Sequence, residues 1–171
     1  ILGPVASPLS RIKRVTGISL YYYLAELVVL RQPEQVRAFL LLTSLLEEFD
    51  AELCREVLVG CMGKSDPDWD GLLAHALKNS LFALPVGEDT LSVRYHHLFR
   101  DFLRQRAFKE YPEMSRIILL RLANHFRKKK DWVRAHEIYQ NLGDRAGILE
   151  MLIADGSDIQ ASGNLLALSD W

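Results

Sequence analysis

The chain has 171 residues, 49% apolar and 25% charged, with 21 basic against 22 acidic side chains and a net charge of −1. That length and apolar share suffice for one compact domain or two small ones and exclude a disordered chain, while the balanced charge gives no global field to attract nucleic acid or anionic lipid. Two cysteines, Cys54 and Cys61, make neither a disulfide framework nor a four-ligand metal set, and read as reduced core residues. The longest apolar runs fall short of a membrane span and the start lacks a signal-peptide layout, so a cytoplasmic protein is expected. The sequence opens at Ile1 and closes at Trp171 inside the apolar run NLLALSDW, which reads as a piece cut from a longer protein.

In chain order, residues 1–20 carry Gly3, Pro4, Pro8 and a basic group, Arg11, Lys13 and Arg14, and read as a tail or the end of a preceding helical domain. A dense apolar helix signal, SLYYYLAELVVL, then runs to Leu30. Pro33 suits the first turn of the next helix, where its missing N–H costs nothing, and Glu34 complements the positive end of the dipole. Val36, Phe39, Leu40, Thr43 and Leu46 recur there at helical spacing, while Ala38, Leu41, Leu42 and Leu45 widen the apolar surface. This predicts a central helix covered on several sides. Asp50 is the expected N-cap of AELCREVLVGC, and GKSDPD breaks the chain. Leu72, Leu73, Ala76 and Leu77 then form the apolar face of a further helix.

Two short apolar strands, Leu81 to Val86 and Leu91 to Tyr95, flank the polar turn Gly87-Glu88-Asp89-Thr90, the pattern of an antiparallel hairpin. The second strand runs straight into a helix opening with Tyr95-His96-His97. Helices, then a hairpin, then a helix is the order of a winged-helix domain, assigned to 21–110. From Pro112 the pattern changes to paired helices. Met114, Ile117, Ile118, Leu122 and Phe126 line one, Trp132, Ala135, Ile138, Tyr139 and Leu142 the other, with RKKKD between them. Gly143-Asp144 and Gly156-Ser157-Asp158 bracket a third short helix, GILEMLIA, and an apolar segment begins at Asn164. Residues 111–171 therefore read as the start of an α-solenoid, and the fold class as mainly α.

On a helical wheel drawn from His96, residues Leu98, Phe99, Phe102 and Leu103 gather on one side with His96 at the edge of that face, while His97 points the other way, near Asp101 and Arg104. An edge position is where a helix meets a neighbouring domain or ligand, and it is equally where a satisfied core-edge histidine sits. His75, His96, His97, His125 and His136 lack any metal-binding spacing, and there is no GxSxG and no GxxxxGK[ST], so neither metal nor nucleotide is expected to bind this chain unaided and no catalytic residue is assigned. For DNA, the helix after Asp66 carries Asp66, Asp68 and Asp70 against Lys78, which repels a phosphate backbone. Arg94, Arg100, Arg104 and Arg106 form a basic stripe interrupted by Asp101, the pattern of a solvated face, and RKKK at 127–130 is placed to complement a helix C-terminus.

The stretches YLAELVVLRQPEQVRAFLLLTSLLEEFDAELC at 23–54, NSLFALPV at 79–86 and RYHHLFRDFLRQR at 94–106 together resemble the region after the ATPase core in the large MalT-like activators of the LuxR family, signal-transduction ATPases of the STAND class. The likeness covers residues 20–142, with 113–142 resembling the start of their sensor solenoid of TPR-like repeats. It implies that the winged helix is an internal regulatory element packed against the nucleotide-binding domain. It also implies that His96 holds the motif position whose histidine approaches the phosphates of bound ADP, with Arg94 a second candidate contact. His97 stands where related eukaryotic proteins usually have aspartate. The P-loop, the magnesium-binding acid and the C-terminal helix-turn-helix are not in this sequence, so the chain is expected to be no enzyme. ADP or ATP with Mg, and slow hydrolysis, belong to the full-length parent. The implied partners are the ATPase core and the sensor repeats within one protein, other copies on activation, and DNA only through the C-terminal domain. A free-standing winged-helix DNA binder and a helical-repeat interaction scaffold are the alternatives.

Overall fold

The structure is a computed structural model that describes residues 17–63, 67–79, 82–87 and 92–162. Its elements are α1 (Gly17–Leu30), α2 (Glu34–Thr43), α3 (Ala51–Val57), α4 (Trp69–Asn79), β1 (Ala83–Val86), β2 (Ser92–Tyr95), α5 (His97–Glu110), α6 (Pro112–Lys128), α7 (Trp132–Asn141) and α8 (Arg145–Ala161). The group Arg11, Lys13 and Arg14, Asp66, the hairpin residues Glu88 to Leu91 and the segment from Asn164 lie outside the described residues.

The broad apolar surface of α2 is used as its pattern requires. Val36, Phe39, Leu40, Leu41, Leu42 and Thr43 are buried, followed by Leu45 and Leu46, and α1, α4 and α5 pack around them. Pro33 stands one position before the helix rather than in its first turn, and its carbonyl accepts the Arg37 N–H at 2.9 Å. Asp50 caps α3 as expected, accepting from the Leu53 N–H at 2.8 Å. That helix stops at Val57, short of the predicted Cys61, where Gly60 turns the chain with φ +72° and the carbonyls of Val57 and Val59 accept instead from Arg121 of α6. Cys54 is buried, whereas Cys61 beyond the helix end is only half-buried, so just one of the two is a core residue.

β1 and β2 pair antiparallel, with Ala83 opposite Tyr95 and Val86 opposite Ser92. A third backbone segment joins them: the Phe49 N–H donates to the Val93 carbonyl at 2.9 Å and the Val93 N–H returns a bond to Phe49 at 2.8 Å. Helices α1 to α4, this small sheet and α5 make a winged helix. Tyr95 belongs to the strand and not to the helix. Its backbone pairs with Ala83 and its ring lies between Phe49 and Phe99, so α5 opens two residues later at His97.

Helix α6 serves two cores. Ile118, Leu119 and Leu122 complete the winged-helix core, while Ala123 meets Trp132, Ala135, Tyr139, Met151 and Ile159 in a second cluster. Ile117, counted from its period as part of the apolar face, is largely exposed. Asp131 and Asp144 cap α7 and α8 through the N–H groups of Arg134 and Gly147. Where the sequence predicts a break at Gly156, α8 runs on to Ala161, because Ile159 is fully buried in the second cluster and holds the last turns on it.

Candidate functional site at the strand-to-helix corner

His96 stands between β2 and α5 with φ −54° and ψ 135°, outside the helix that its neighbour begins. Its N–H donates to the Phe82 carbonyl at 2.6 Å, and its own carbonyl accepts the Arg100 N–H at 2.9 Å. The His96 ring is half-buried and His97 is exposed, as the wheel predicts. The two rings nevertheless lie 4.4 Å apart, tilted by 34°. A wheel assumes 100° between successive residues, and His96 has extended rather than helical backbone, so that separation does not apply.

Helix α5 has no acidic residue in its first turn and no side-chain cap. Its first N–H groups therefore keep their pull on anions beside the two imidazoles. Arg94 is exposed in β2, opposite Leu84. The two imidazoles and the first N–H groups of α5 offer hydrogen-bond donors and partial positive charge at one corner, the chemistry that suits a phosphate oxygen, and Arg94 stands two residues before His96 in the chain.

Behind the corner the packing is dry and aromatic. Tyr95 is 5% exposed, with its ring 5.2 Å from Phe49 and 5.8 Å from Phe99. Its hydroxyl meets Thr43 Oγ1 at 2.7 Å, and Thr43 Oγ1 donates to the Phe39 carbonyl at 2.6 Å. Since the threonine has one hydroxyl proton, Tyr95 is the donor to Thr43. Burial pushes the Tyr95 phenol far above its ordinary range, which keeps that proton in place. One residue beyond the end of α2, the Ser44 carbonyl accepts from Arg100 Nε at 3.2 Å. Burial also lowers the Arg100 guanidinium from its ordinary value, offset by Glu47 at 3.8 Å.

The basic stripe on α5 is largely engaged within the molecule. Arg106 meets Glu110 at 2.6 Å and Arg104 lies over the Phe108 ring. The RKKK stretch does more than complement a helix end. Arg127 reaches Asp155 at 2.9 Å, Lys128 reaches Glu56 at 3.1 Å and Lys130 reaches Asp158 at 2.9 Å, tying α6 and its turn to α3 and α8. Glu56 also accepts from His125 Nδ1 at 2.6 Å. A polar groove of about 470 Å³ lies here, lined by Glu56, Arg121, Asn124, Arg127, Lys128 and Asp155. Sequence reading missed this contact between helices, although Arg121, His125 and Lys128 recur at helical spacing on one face of α6. Among the described residues no three His, Cys, Asp or Glu side chains are grouped to hold a metal ion, and no helix is long and apolar enough to cross a membrane.

The family model of the MalT winged helix domain matches residues 24–115. The chain belongs to this family. As a MalT winged helix domain, the matched region takes in α2 to α5 and the hairpin, with Arg94, Tyr95 and His96 inside it and the second, helical cluster beyond it. The chain is thereby a module of a MalT-like transcription regulator. The comparison with curated proteins gives no match.

Proposed function

We propose that this chain is the regulatory module of a LuxR-family, STAND-class activator, in which the winged helix and the first TPR-like repeats couple inducer sensing to an ADP/ATP switch in an ATPase core. The reading rests above all on His96, half-buried at the cap of a helix whose first turn carries neither an acid nor a side-chain cap. Such a corner suits a diphosphate held by a neighbouring nucleotide-binding domain, with the imidazole of His96 donating to a phosphate oxygen and Arg94 adding charge. The nucleotide and its Mg would supply the phosphates and their counter-charge. The module contributes the donor, its positioning and the shielding of the phosphates from water, and performs no catalytic step.

Coupling follows from differential binding. An ADP-bound core that His96 helps to hold favours a closed, monomeric form, while ATP and inducer favour an open form free to self-associate. Because α6 contributes to both hydrophobic cores, a shift of the helical pair is carried directly to the winged helix. On α8 the side chains of Leu149 and Ile153 are 59% and 84% exposed, a face suited to a further helix of a continuing solenoid. Direct DNA contact is disfavoured: in α4, Asp68 caps the helix through the Gly71 N–H and Asp70 lies in the first turn, against Lys78 at the far end. Cytoplasmic location and a bacterial source fit the reading.

Replacing His96 with Ala in the ATPase-bearing protein, followed by dialysis, tests the reading. Loss of ADP with spontaneous self-association, in a variant that remains folded, is the expected result. Full retention of ADP would remove His96 from the switch and favour a scaffold that binds a partner along its repeats.

A further inference from the structure

We infer that Tyr95 and Thr43 are positioning residues for His96, so that the last turn of α2 sets where the imidazole stands; the inference rests on the nucleotide reading above. The geometry holds the corner on three sides. The residue before His96 is anchored by its hydroxyl to Thr43 at 2.7 Å, the His96 N–H is bound to Phe82 at 2.6 Å, and its carbonyl starts the ladder of α5. Of these anchors, only the first ties the corner to α2 by side chains. Arg100, one helical turn after His96, grips the same turn of α2 through the Ser44 carbonyl at 3.2 Å. Neighbouring residues Thr43 and Ser44 therefore carry the chain on both sides of His96.

An aromatic ring in this core needs no hydroxyl to be buried: Phe at position 95 would keep the contacts to Phe49 and Phe99. The hydroxyl adds direction. It fixes the ring, and with it the end of β2, to one register against α2, and a donor displaced from its productive position loses much of its effect on a bound group. Thr43 in turn is held by Phe39, so the chain of bonds runs from the α2 backbone to the corner without a break.

The test uses the ATPase-bearing protein and reads the rate of ADP release in His96→Ala, Tyr95→Phe, Thr43→Val, Thr43→Ser and the double variant His96→Ala/Tyr95→Phe, each checked for an intact melting transition. Tyr95→Phe is the safer probe, because Thr43 keeps its bond to Phe39 while Thr43→Val strands the Tyr95 donor. The expected result is release faster by roughly tenfold in Tyr95→Phe and Thr43→Val, as for the loss of one well-placed hydrogen bond. Thr43→Ser should stay near wild type, and the double variant should be no faster than His96→Ala. If His96→Ala speeds release but Tyr95→Phe does not, or if the two effects simply multiply, Tyr95 acts only as packing and the inference falls while the nucleotide reading stands. If His96→Ala leaves release unchanged, the nucleotide reading itself falls, and this inference with it.

Discussion

His125 Nδ1 of α6 donates to Glu56 Oε2 of α3 at 2.6 Å, joining the helix that follows the winged helix to the winged helix itself. The same carboxylate accepts from Lys128 at 3.1 Å, and Arg121 of the same face takes the carbonyls that end α3. These bonds hold the Glu56 carboxyl below its ordinary pKa, the hydrogen bond from His125 being the largest cause. A depressed carboxyl stabilises the fold fully above its ordinary value and loses that contribution as pH falls through the folded value. Glu56→Gln should therefore lower stability at neutral pH by less than about 1 kcal/mol, since the side chain is partly solvated, and the difference from wild type should shrink as pH falls below the ordinary Glu range. Urea midpoints measured from pH 7 down to pH 3 check both the sign and the window.

Gly147 in the first turn of α8 faces Tyr139 so closely that a Cβ would lie 2.7 Å from two ring carbons. The ring is itself held by a bond from its hydroxyl to Asn124 at 3.0 Å, and cannot retreat without breaking it. Gly147→Ala is expected to destabilise by roughly 1–3 kcal/mol despite the better helix propensity of alanine. Adding Tyr139→Ala should erase the difference between Gly and Ala at 147, a comparison that thermal melts of the four proteins supply.

Phe49 is 2% exposed and packs on Phe39 and Tyr95 with centroids 6.1 and 5.2 Å away, while its backbone supplies the third segment of the sheet. Phe49→Ala should cost about 3–5 kcal/mol through the cavity it leaves, and Phe49→Leu a smaller amount. Because Tyr95 forms one wall of that cavity, the Ala variant should also change the environment of the His96 ring. Loss of urea stability without any change in the His96 imidazole resonances would contradict the link between this core and the corner.

What the sequence made legible was what has a period or a cap. The broad apolar run from Val36 to Leu46 marked a central helix and Asp50 was readable as the cap it is, whereas Asp131 and Asp144 cap their helices in the same way and were not read so. The two strands were readable from short apolar runs on either side of a polar turn. Phe49 was not, because a single residue bonding to Val93 leaves no alternation to detect. Tyr95 was read both as the end of the strand, where it lies, and as the opening of the following helix, because an aromatic residue suits a strand end and a helix start equally and its partner Thr43 lies 52 positions away. The end of α8 was misplaced at Gly156, where burial of Ile159 outweighs the local preference of Gly156-Ser157-Asp158 to break a helix. His96 was singled out by its place at an apolar edge. The uncapped, acid-free start of α5 is written in the local sequence, whereas the anchoring of the strand end to Thr43 depends on contacts between elements and has no local signal.

On the proposed function, the corner at His96 closes over a nucleotide held by a neighbouring core. The most direct measurement is ADP affinity by calorimetry for the ATPase core alone and for the core joined to this module, wild type and His96→Ala. Binding tighter by tenfold or more with the wild-type module, and a return toward the affinity of the core alone in the variant, is the expected result. Equal ADP affinity in all three proteins would contradict the account.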